Sequence, residues 1–197
     1  MVIHRSREQT RPAGQVTRPR NAVARRTSRC ELIAALVVFI VGVATAGVDA
    51  VAYSSSVLAG STGMIGSTGG IGSVARFNNP VYLGLIPGTD DYYVGDRWNH
   101  RIRKIVPATG AVTTIAGSGT QGAANGASGS AAFNQPIGLA VAPATGNIYV
   151  ADSSNYAIRL LTAPSFVVTH FAGATTPTAG AIDATGTAAR FASPEGC

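Results

Sequence analysis

Short apolar runs alternate with turn residues at even spacing over residues 81–171. The runs are rich in Val, Ile, Leu and Tyr, and the breaks between them hold Gly, Pro, Asn and Asp. This pattern predicts β-strands. The gaps are too short for a crossover helix, so neighbouring strands are expected to be antiparallel. The predicted strands lie near 81–86, 92–95, 101–106, 111–116, 137–142, 147–151, 157–162 and 166–171.

The strands belong to a repeat with a period of 56 residues. Residues 77–105 align with residues 133–161, and 12 of these 29 positions are identical, which makes chance similarity a poor explanation. A third copy begins at 189–194, three residues before the end of the chain. A fixed period of this size indicates stacked supersecondary units, and four strands per unit indicate the blades of a β-propeller. We therefore predict an all-β fold, a partial β-propeller of four-stranded antiparallel blades preceded by one hydrophobic helix.

Several motifs in the repeat resemble those of a known family. Y-V-A-D-S-x-N-x-x-I-R at 149–159, G-L-A-V-x-P-x-T-G-N at 138–147 and the Gly-rich loops ending in A-R-F-x-x-P are similar to NHL repeats. The resemblance covers roughly 57–197 and implies a propeller. It also implies either a binding scaffold or, in a minority of the family, an enzyme. Such propellers close with more blades than the two complete ones found here.

Two blades are few for a stable array, which usually needs about three or more units. Each outer face of the pair lacks a neighbouring blade. The sequence therefore predicts that the chain is a fragment, self-associates or folds poorly. The end of the chain at 195–197, where the first strand of the third copy is expected, favours a fragment.

A hydrophobic segment precedes the repeats. Leu32–Val48 contains 17 residues without a charge, which is the short limit for a membrane-spanning helix. We predict a signal-anchor helix within 31–52. Eight arginines before it predict a cytoplasmic N-terminus and lumenal or extracellular repeats. A cleaved signal and a secreted protein remain the alternative, and a mitochondrial transit peptide is a third interpretation.

Charge and composition differ between the N-terminal tail and the repeats. The net charge of +6 comes from the N-terminal tail, because residues from Tyr53 onward include seven basic and six acidic side chains. The repeats are therefore not predicted to bind nucleic acid. The predicted segments are a basic disordered tail (1–30), the anchor (31–52), a Gly/Ser-rich linker with the end strand of a preceding blade (53–76), blade 1 (77–117), blade 2 (118–173) and the start of a third repeat (174–197).

Candidate catalytic groups have structural interpretations. The G-x-G-x-x-G at 117–122 recurs as a repeat loop without a following helix pattern, so no cofactor is predicted. Asp96 and Asp152 occupy the same blade position, where an aspartate accepts backbone N–H groups in a turn more readily than it serves as a metal ligand or acid/base group. The three histidines are scattered. We predict no catalytic, cofactor-binding or metal-binding residues.

One basic and aromatic cluster is the candidate interaction surface. Arginine, tryptophan and tyrosine are enriched at interface hot spots, although a solvated blade edge would show the same residue types. The sequence predicts a module that binds a protein or ligand without catalysis, with self-association through open blade faces as another partner mode. The alternative is part of a metal-dependent lyase or lactonase-like propeller enzyme, as the resemblance implies. The candidate residues are Arg97, Trp98, His100, Arg101, Arg103 and Tyr156.

Overall fold

The computed structural model describes residues 38–42 and 53–196. These residues form eleven β-strands joined by turns and short 3₁₀ segments, which confirms the predicted all-β fold. Strands β4 to β11 begin and end within one residue of the predicted runs. The strands are β1 (Val38–Gly42), β2 (Tyr53–Val57), β3 (Gly70–Ile71), β4 (Pro80–Leu85), β5 (Tyr92–Asp96), β6 (Arg101–Val106), β7 (Ala111–Ala116), β8 (Pro136–Val141), β9 (Ile148–Asp152), β10 (Ala157–Thr162) and β11 (Val167–Ala172).

Two antiparallel sheets form the body of the molecule. Blade 1 has the strand order β3-β7-β6-β5-β4, and blade 2 has the order β11-β10-β9-β8. Each is a four-stranded meander, as short turns between antiparallel strands require. Blade 1 gains a fifth, two-residue strand, because β3 pairs with its outer strand β7. The same loop position in blade 2 makes only a single bridge, from Gly126 to Val168.

The two blades share one register. Val94 pairs with Arg103 in blade 1, and Val150 pairs with Arg159 in blade 2. Both blades also carry a β-bulge directly before the arginine on the third strand. The identical residues of the repeat therefore occupy identical positions on the two sheets.

Blade 2 packs against blade 1 through its innermost strand, β8, which contacts β4 and β5. The core between the blades includes Ile102 from blade 1 and Phe133 and Leu139 from blade 2. Gly95 makes the close approach feasible: a Cβ there would lie 2.7 Å from the carbonyl oxygen of Ile137. A second core lies on the other face of blade 1, around Phe77 and Ile105.

The segment before the repeats differs from the prediction. Val38–Gly42, inside the predicted anchor helix 31–52, is a β-strand that pairs with β2 in an antiparallel ladder. Three of its five residues are Val or Ile, whose branched side chains favour strands over helices, and the edge of β2 offers them backbone partners. The helix prediction is therefore wrong for these five residues. The rest of the predicted anchor, and the tail 1–30, lie outside the described residues.

In the part of the chain that the structure describes, no helix has the length and apolar character needed to cross a bilayer.

Candidate functional site

Two equivalent turns connect the second and third strands of the blades. Each is a short 3₁₀ segment, Arg97–Asn99 in blade 1 and Ser153–Asn155 in blade 2, closed by a residue in the left-handed conformation. The N–H of Trp98 donates to the carbonyl of Asn78, and the N–H of Ser154 donates to that of Asn134, both at 3.0 Å. The repeat thus holds the backbone constant while the side chains differ.

A buried aspartate stands at the start of each turn. Asp152 has no exposed surface, and its Oδ1 accepts the backbone N–H of Asn134 at 2.7 Å. Its Oδ2 accepts Nδ2 of Asn155 at 2.7 Å and Nη1 of Arg159 at 2.9 Å. Asp96 in blade 1 makes the same three contacts with the residues 56 positions earlier. They are Asn78 N at 2.8 Å, Asn99 Nδ2 at 2.8 Å and Arg103 Nη1 at 3.0 Å.

The arginine of each cluster ties the turn to the glycine-rich loop. Nη1 of Arg159 donates to the carbonyl of Ala132, and Nη2 donates to the carbonyl of Ala124, both at 3.1 Å. Its guanidinium lies 5.5 Å from the centroid of the Phe133 ring, as Arg103 does over Phe77. A cation and the face of an aromatic ring attract each other, most strongly when the cation is desolvated. The carboxylates therefore have a structural function, but their backbone donor is not in the turn that the sequence indicated: it is the asparagine that precedes the first strand of the same blade.

Burial and hydrogen bonding oppose each other at these carboxylates. Burial raises the pKa of Asp152 to about 6, while the Asn134 N–H, the Asn155 amide and the Arg159 guanidinium lower it. Burial likewise raises the pKa of Asp96, against the same three kinds of donor. A pKa near 6 leaves Asp152 mainly ionised at neutral pH. The ion pair with Arg159 is therefore present under ordinary conditions.

One residue that the sequence predicted to lie on the interaction surface, Arg103, is buried. The sequence placed Arg103 on the candidate interaction surface, but its side chain is fully buried in the ion pair with Asp96. Both faces of β6 are covered: one by the loop that carries Phe77 and the other by blade 2. Arg103 is therefore not available to a partner.

Two further candidates contact the neighbouring blade. Nε and Nη2 of Arg97 donate to Oε1 of Gln135 at 3.1 and 2.9 Å. The backbone N–H of Gln135 donates to Nδ1 of His100 at 3.2 Å, and burial lowers the pKa of His100. The sequence did not lead us to predict a contact for Gln135, although its position directly before the innermost strand could have indicated a contact between the blades. Ser153 and Ser193 meet at the equivalent place one repeat later, with 3.0 Å between their oxygens.

Trp98 is the exposed member of the cluster. Its side chain is 42% exposed, while Arg97, His100 and Arg101 beside it are half-buried. Nη2 of Arg101 donates to the carbonyl of Ser118 at 3.1 Å and so holds the glycine-rich loop close to β6. Tyr156 is half-buried at the position equivalent to His100. Within the described residues, no hydrogen bond or ring contact joins it to the other four.

Charge is distributed unevenly between the two ends of blade 1. Consecutive turns of a meander lie at opposite ends of the strands. The turn with Arg97 and Arg101 therefore lies opposite the turn with Asp90 and Asp91. Asp91 accepts Nζ of Lys104 at 2.7 Å. The aspartate nearest the arginines in sequence, Asp96, is buried and paired.

Residues 53–196 contain no group of three or more His, Cys, Asp or Glu side chains placed to bind a metal ion.

Known proteins provide an independent test of the repeat. The NHL repeat family matches residues 133–159. The chain is 38% identical over 80 residues to Protein SUPPRESSOR OF QUENCHING 1, chloroplastic, of Arabidopsis thaliana, which covers 40% of this chain and 8% of that protein. It is 34% identical over 88 residues to NHL repeat-containing protein 2 of Bos taurus, which covers 44% of this chain and 12% of the relative. These matches support the resemblance of the repeat to the NHL-repeat family.

The NHL match coincides with the buried cluster of blade 2. It begins at Phe133, whose ring lies under the guanidinium, and ends at Arg159, which carries that guanidinium. Asp152 and Asn155 lie between them. The segment that identifies the NHL repeat is thus the segment that builds its core contacts.

Solved structures agree with the fold. A structural genomics protein of unknown function from Bacteroides thetaiotaomicron superposes with a TM-score of 0.57 at 25% identity, over 73% of this chain and 34% of that one. An auxiliary nutrient binding protein from Bacteroides ovatus superposes with a TM-score of 0.53 at 19% identity, over 64% of this chain and 33% of that one. This chain therefore spans about a third of each of these structures and a smaller share of its curated relatives.

Proposed function

We propose that the two NHL blades form an interaction module that binds an acidic segment of a protein partner without catalysis. The binding surface is the Trp98 surface, defined as Arg97, Trp98, His100 and Arg101. The observation that carries the proposal is the exposed side chain of Trp98, which lies on a turn whose backbone the repeat holds fixed and has Arg97 and Arg101 close to it in the sequence. Tryptophan and arginine are the residue types that most often anchor interfaces.

The chemistry of the partner follows from the charges around Trp98. Arg97 and Arg101 lie at one end of blade 1, and the exposed carboxylate of Asp90 and the half-buried carboxylate of Asp91 belong to the turn at the other end. Arginine binds carboxylates through paired, charge-assisted hydrogen bonds. A partner with glutamate or aspartate side chains near an apolar residue would match this arrangement, with the apolar residue on the indole.

The repeat supports a specific function for these side chains. Blade 2 has Ser153 and Ser154 where blade 1 has Arg97 and Trp98, and the backbone of the turn is the same. The fold therefore does not require an arginine or a tryptophan at these positions. Arg97 also has a structural contact with Gln135, whereas the presence of the exposed Trp98 is explained by binding more readily than by folding.

We propose no catalytic function because both recurring aspartates are buried and already hydrogen-bonded. Asp96 and Asp152 are buried, and each accepts three hydrogen bonds from protein groups. Carboxylates in this state hold the blades together and do not face a substrate.

The test uses the fluorescence of Trp98, the one tryptophan of the chain. Polyglutamate serves as the acidic probe, titrated into the full chain at low ionic strength. We expect a saturable change in the intensity and position of the Trp98 emission, which salt reverses because the contacts are ionic. The arginine-rich tail can also bind the probe, so the comparison of variants, and not the binding alone, assigns the site.

Two matched variants make the result specific. Arg97→Ser introduces the residue that blade 2 has at the same position, and we expect it to weaken binding several-fold. Lys104→Met removes a basic group that already pairs with Asp91, and we expect no change. An emission spectrum that polyglutamate leaves unaltered, or equal weakening by both variants, would contradict the proposal.

A further inference from the structure

The glycine-rich loop of blade 2 contains the one asparagine of the chain that a glycine follows, Asn125 before Gly126. In such a pair the side-chain amide is open to attack by the next backbone nitrogen, because glycine has no Cβ to obstruct the ring that forms. Asn125 is exposed to solvent. Neither residue belongs to the Trp98 surface, so a modification here is separate from the proposed function.

The buried arginine of blade 2 holds the amide of Asn125. Nη2 of Arg159 donates to Oδ1 of Asn125 at 2.7 Å, and the same nitrogen donates to the carbonyl of Ala124 at 3.1 Å. A guanidinium on the amide oxygen stabilises the negative charge that develops there when a nucleophile adds to Cγ. Arg159 therefore makes Cγ of Asn125 more electrophilic.

The nucleophile, the backbone nitrogen of Gly126, is held in a hydrogen-bonded bridge. Its N–H donates to the carbonyl of Val168 at 3.0 Å, and the N–H of Val168 donates back at 2.8 Å. The bridge is isolated and lies on β11, the outermost strand of blade 2. Two hydrogen bonds at a sheet edge can open while the rest of the blade stays folded. The reaction therefore requires the bridge to open but not the blade to unfold.

The equivalent loops show that a carboxylate is accepted at this position. The loops of the three copies align on their phenylalanine, and at the position of Asn125 they carry Gly69 in blade 1 and Asp183 in the third copy. The same alignment matches the backbone hydrogen bonds of the loop between the second and third copies. The product of amide loss at Asn125 is thus the residue type that the third copy already has.

We propose that Asn125 is a site of spontaneous modification, at which the side-chain amide is converted to a carboxylate that pairs with Arg159. When the bridge opens, the nitrogen of Gly126 gives up its proton and bonds to Cγ of Asn125. The bond from Cγ to Nδ2 breaks, and ammonia leaves with the proton. Water then opens the cyclic imide that remains.

The two bonds that water can break give two products. Breaking the bond from Cγ to the nitrogen of Gly126 gives aspartate, whose carboxylate replaces the amide oxygen at Arg159 with a charge-assisted hydrogen bond. Breaking the bond from the main-chain carbonyl carbon to that nitrogen gives isoaspartate, which adds a carbon to the backbone. This product displaces Gly126 along the chain and is expected to lose the bridge to Val168.

The test follows the reaction in the full, folded chain. The chain is incubated at mildly alkaline pH in heavy-oxygen water and then digested in ordinary water, so that only carboxylates formed during the incubation carry the label in mass spectrometry. We expect labelling at Asn125 at a rate roughly ten- to a hundredfold below that of a synthetic peptide of residues 120–131, because opening the bridge breaks two hydrogen bonds. Asn147, which isoleucine follows, is the internal control and should remain unlabelled.

Urea separates opening of the bridge from unfolding of the chain. Opening a single bridge exposes little surface, so the labelling rate should change little with urea below the unfolding transition. A rate that rises steeply with urea would overturn the proposal, because the reaction would then need the unfolded chain. A folded chain that stays unlabelled while the peptide is converted, or one that reacts as fast as the peptide, would also overturn it.

A variant with the product side chain tests the pairing with Arg159. Asn125→Asp is expected to raise the melting temperature by about 2 °C at low ionic strength, and added salt should reduce the gain. Asn147→Asp is the matched control, because it makes the same change of charge at a side chain whose Oδ1 accepts the N–H of Ala163. Equal shifts in the two variants, or a lower melting temperature for Asn125→Asp, would contradict the pairing.

Discussion

Single residues determine how each blade holds its turn. The aspartates and arginines of the Asp–Asn–Arg clusters are the most buried polar residues of the described chain. Each carboxylate is engaged by a backbone N–H, an amide and a guanidinium. Taking such charges out of water is costly, so the intact ion pair adds less to stability than its geometry suggests, whereas removing one partner leaves the other unpaired. The clusters therefore affect stability chiefly because the loss of either partner would leave the other charge buried and unpaired.

Arg103→Met is predicted to be strongly destabilising. The substitution leaves Asp96 buried without its guanidinium and removes the donors to Thr68 and Arg76. We expect a loss of about 3–5 kcal/mol in the free energy of unfolding, measured with urea.

Lys104→Met is the matched control for Arg103→Met, because Lys104 is the next residue on the same strand. Its partly exposed ion pair with Asp91 should contribute less than about 1 kcal/mol. Equal costs for the two variants would show that Arg103 is not buried in the way described.

The sequence indicated the residues of these clusters but not their contacts. Phe, Asp, Asn and Arg recur at the 56-residue period, so a structural function could be predicted for them. Period alone does not show that the arginine folds back over a phenylalanine more than twenty positions earlier. For the same reason the sequence predicted Arg103 to lie on the surface, since a charged residue is expected to be solvated.

At the scale of elements, the turn of blade 1 and the first strand of blade 2 are linked through His100. The N–H of Gln135 can donate to Nδ1 of His100 only while that nitrogen is unprotonated. Burial lowers the pKa of His100 from its usual 6.5. The contact between the blades therefore depends on pH.

We predict that acid weakens this contact. The unfolded chain takes up a proton at His100 at a higher pH than the folded chain does, so the stability that the contact provides is present above pH 6.5 and is lost as the pH falls below it. Asp152 acts in the opposite sense, because its raised pKa gives stability that is lost as the pH rises through about 6.

Comparison with His100→Asn separates the two effects. Asparagine does not titrate and tolerates the left-handed backbone at this position, while Asp152 is the same in both chains. Melting temperatures are measured between pH 7.5 and pH 5.5. We expect the native chain to lose more stability than the variant over this range, and equal losses would refute the assignment.

The strands of the blades could be predicted because apolar runs and turn residues alternate so regularly. Two strands outside the repeat, Val38–Gly42 and Gly70–Ile71, could not. Val38–Gly42 has the composition of an apolar helix and of a buried strand alike, and its pairing with β2 decides between them. The strand Gly70–Ile71 lies in a glycine-rich loop without any strand pattern, and it forms because β7 offers an edge. Membrane anchoring through Leu32–Val48 stays a prediction.

At the scale of the whole molecule, the repeat explains why the two blades stack as they do. The loops that precede Phe77 and Phe133 each cover one face of a blade, and each is bound by the Asp–Asn–Arg cluster that follows it. The number of complete blades could be predicted from the period. The direction in which they stack could not, because it depends on contacts such as the close approach of Gly95 to Ile137. Self-association through the open faces stays a prediction.

The central claim is that the same buried side-chain cluster closes each of the two blades. Native-state hydrogen exchange of the full chain tests it most directly, because exchange reports which amides are bonded in stable structure. The amides of Asn78 and Asn134 donate to buried carboxylates and should exchange slowly. The equivalent amide of Ala192 should exchange quickly. Fast exchange at Asn78 and Asn134, at a rate similar to that of Ala192, would contradict the account.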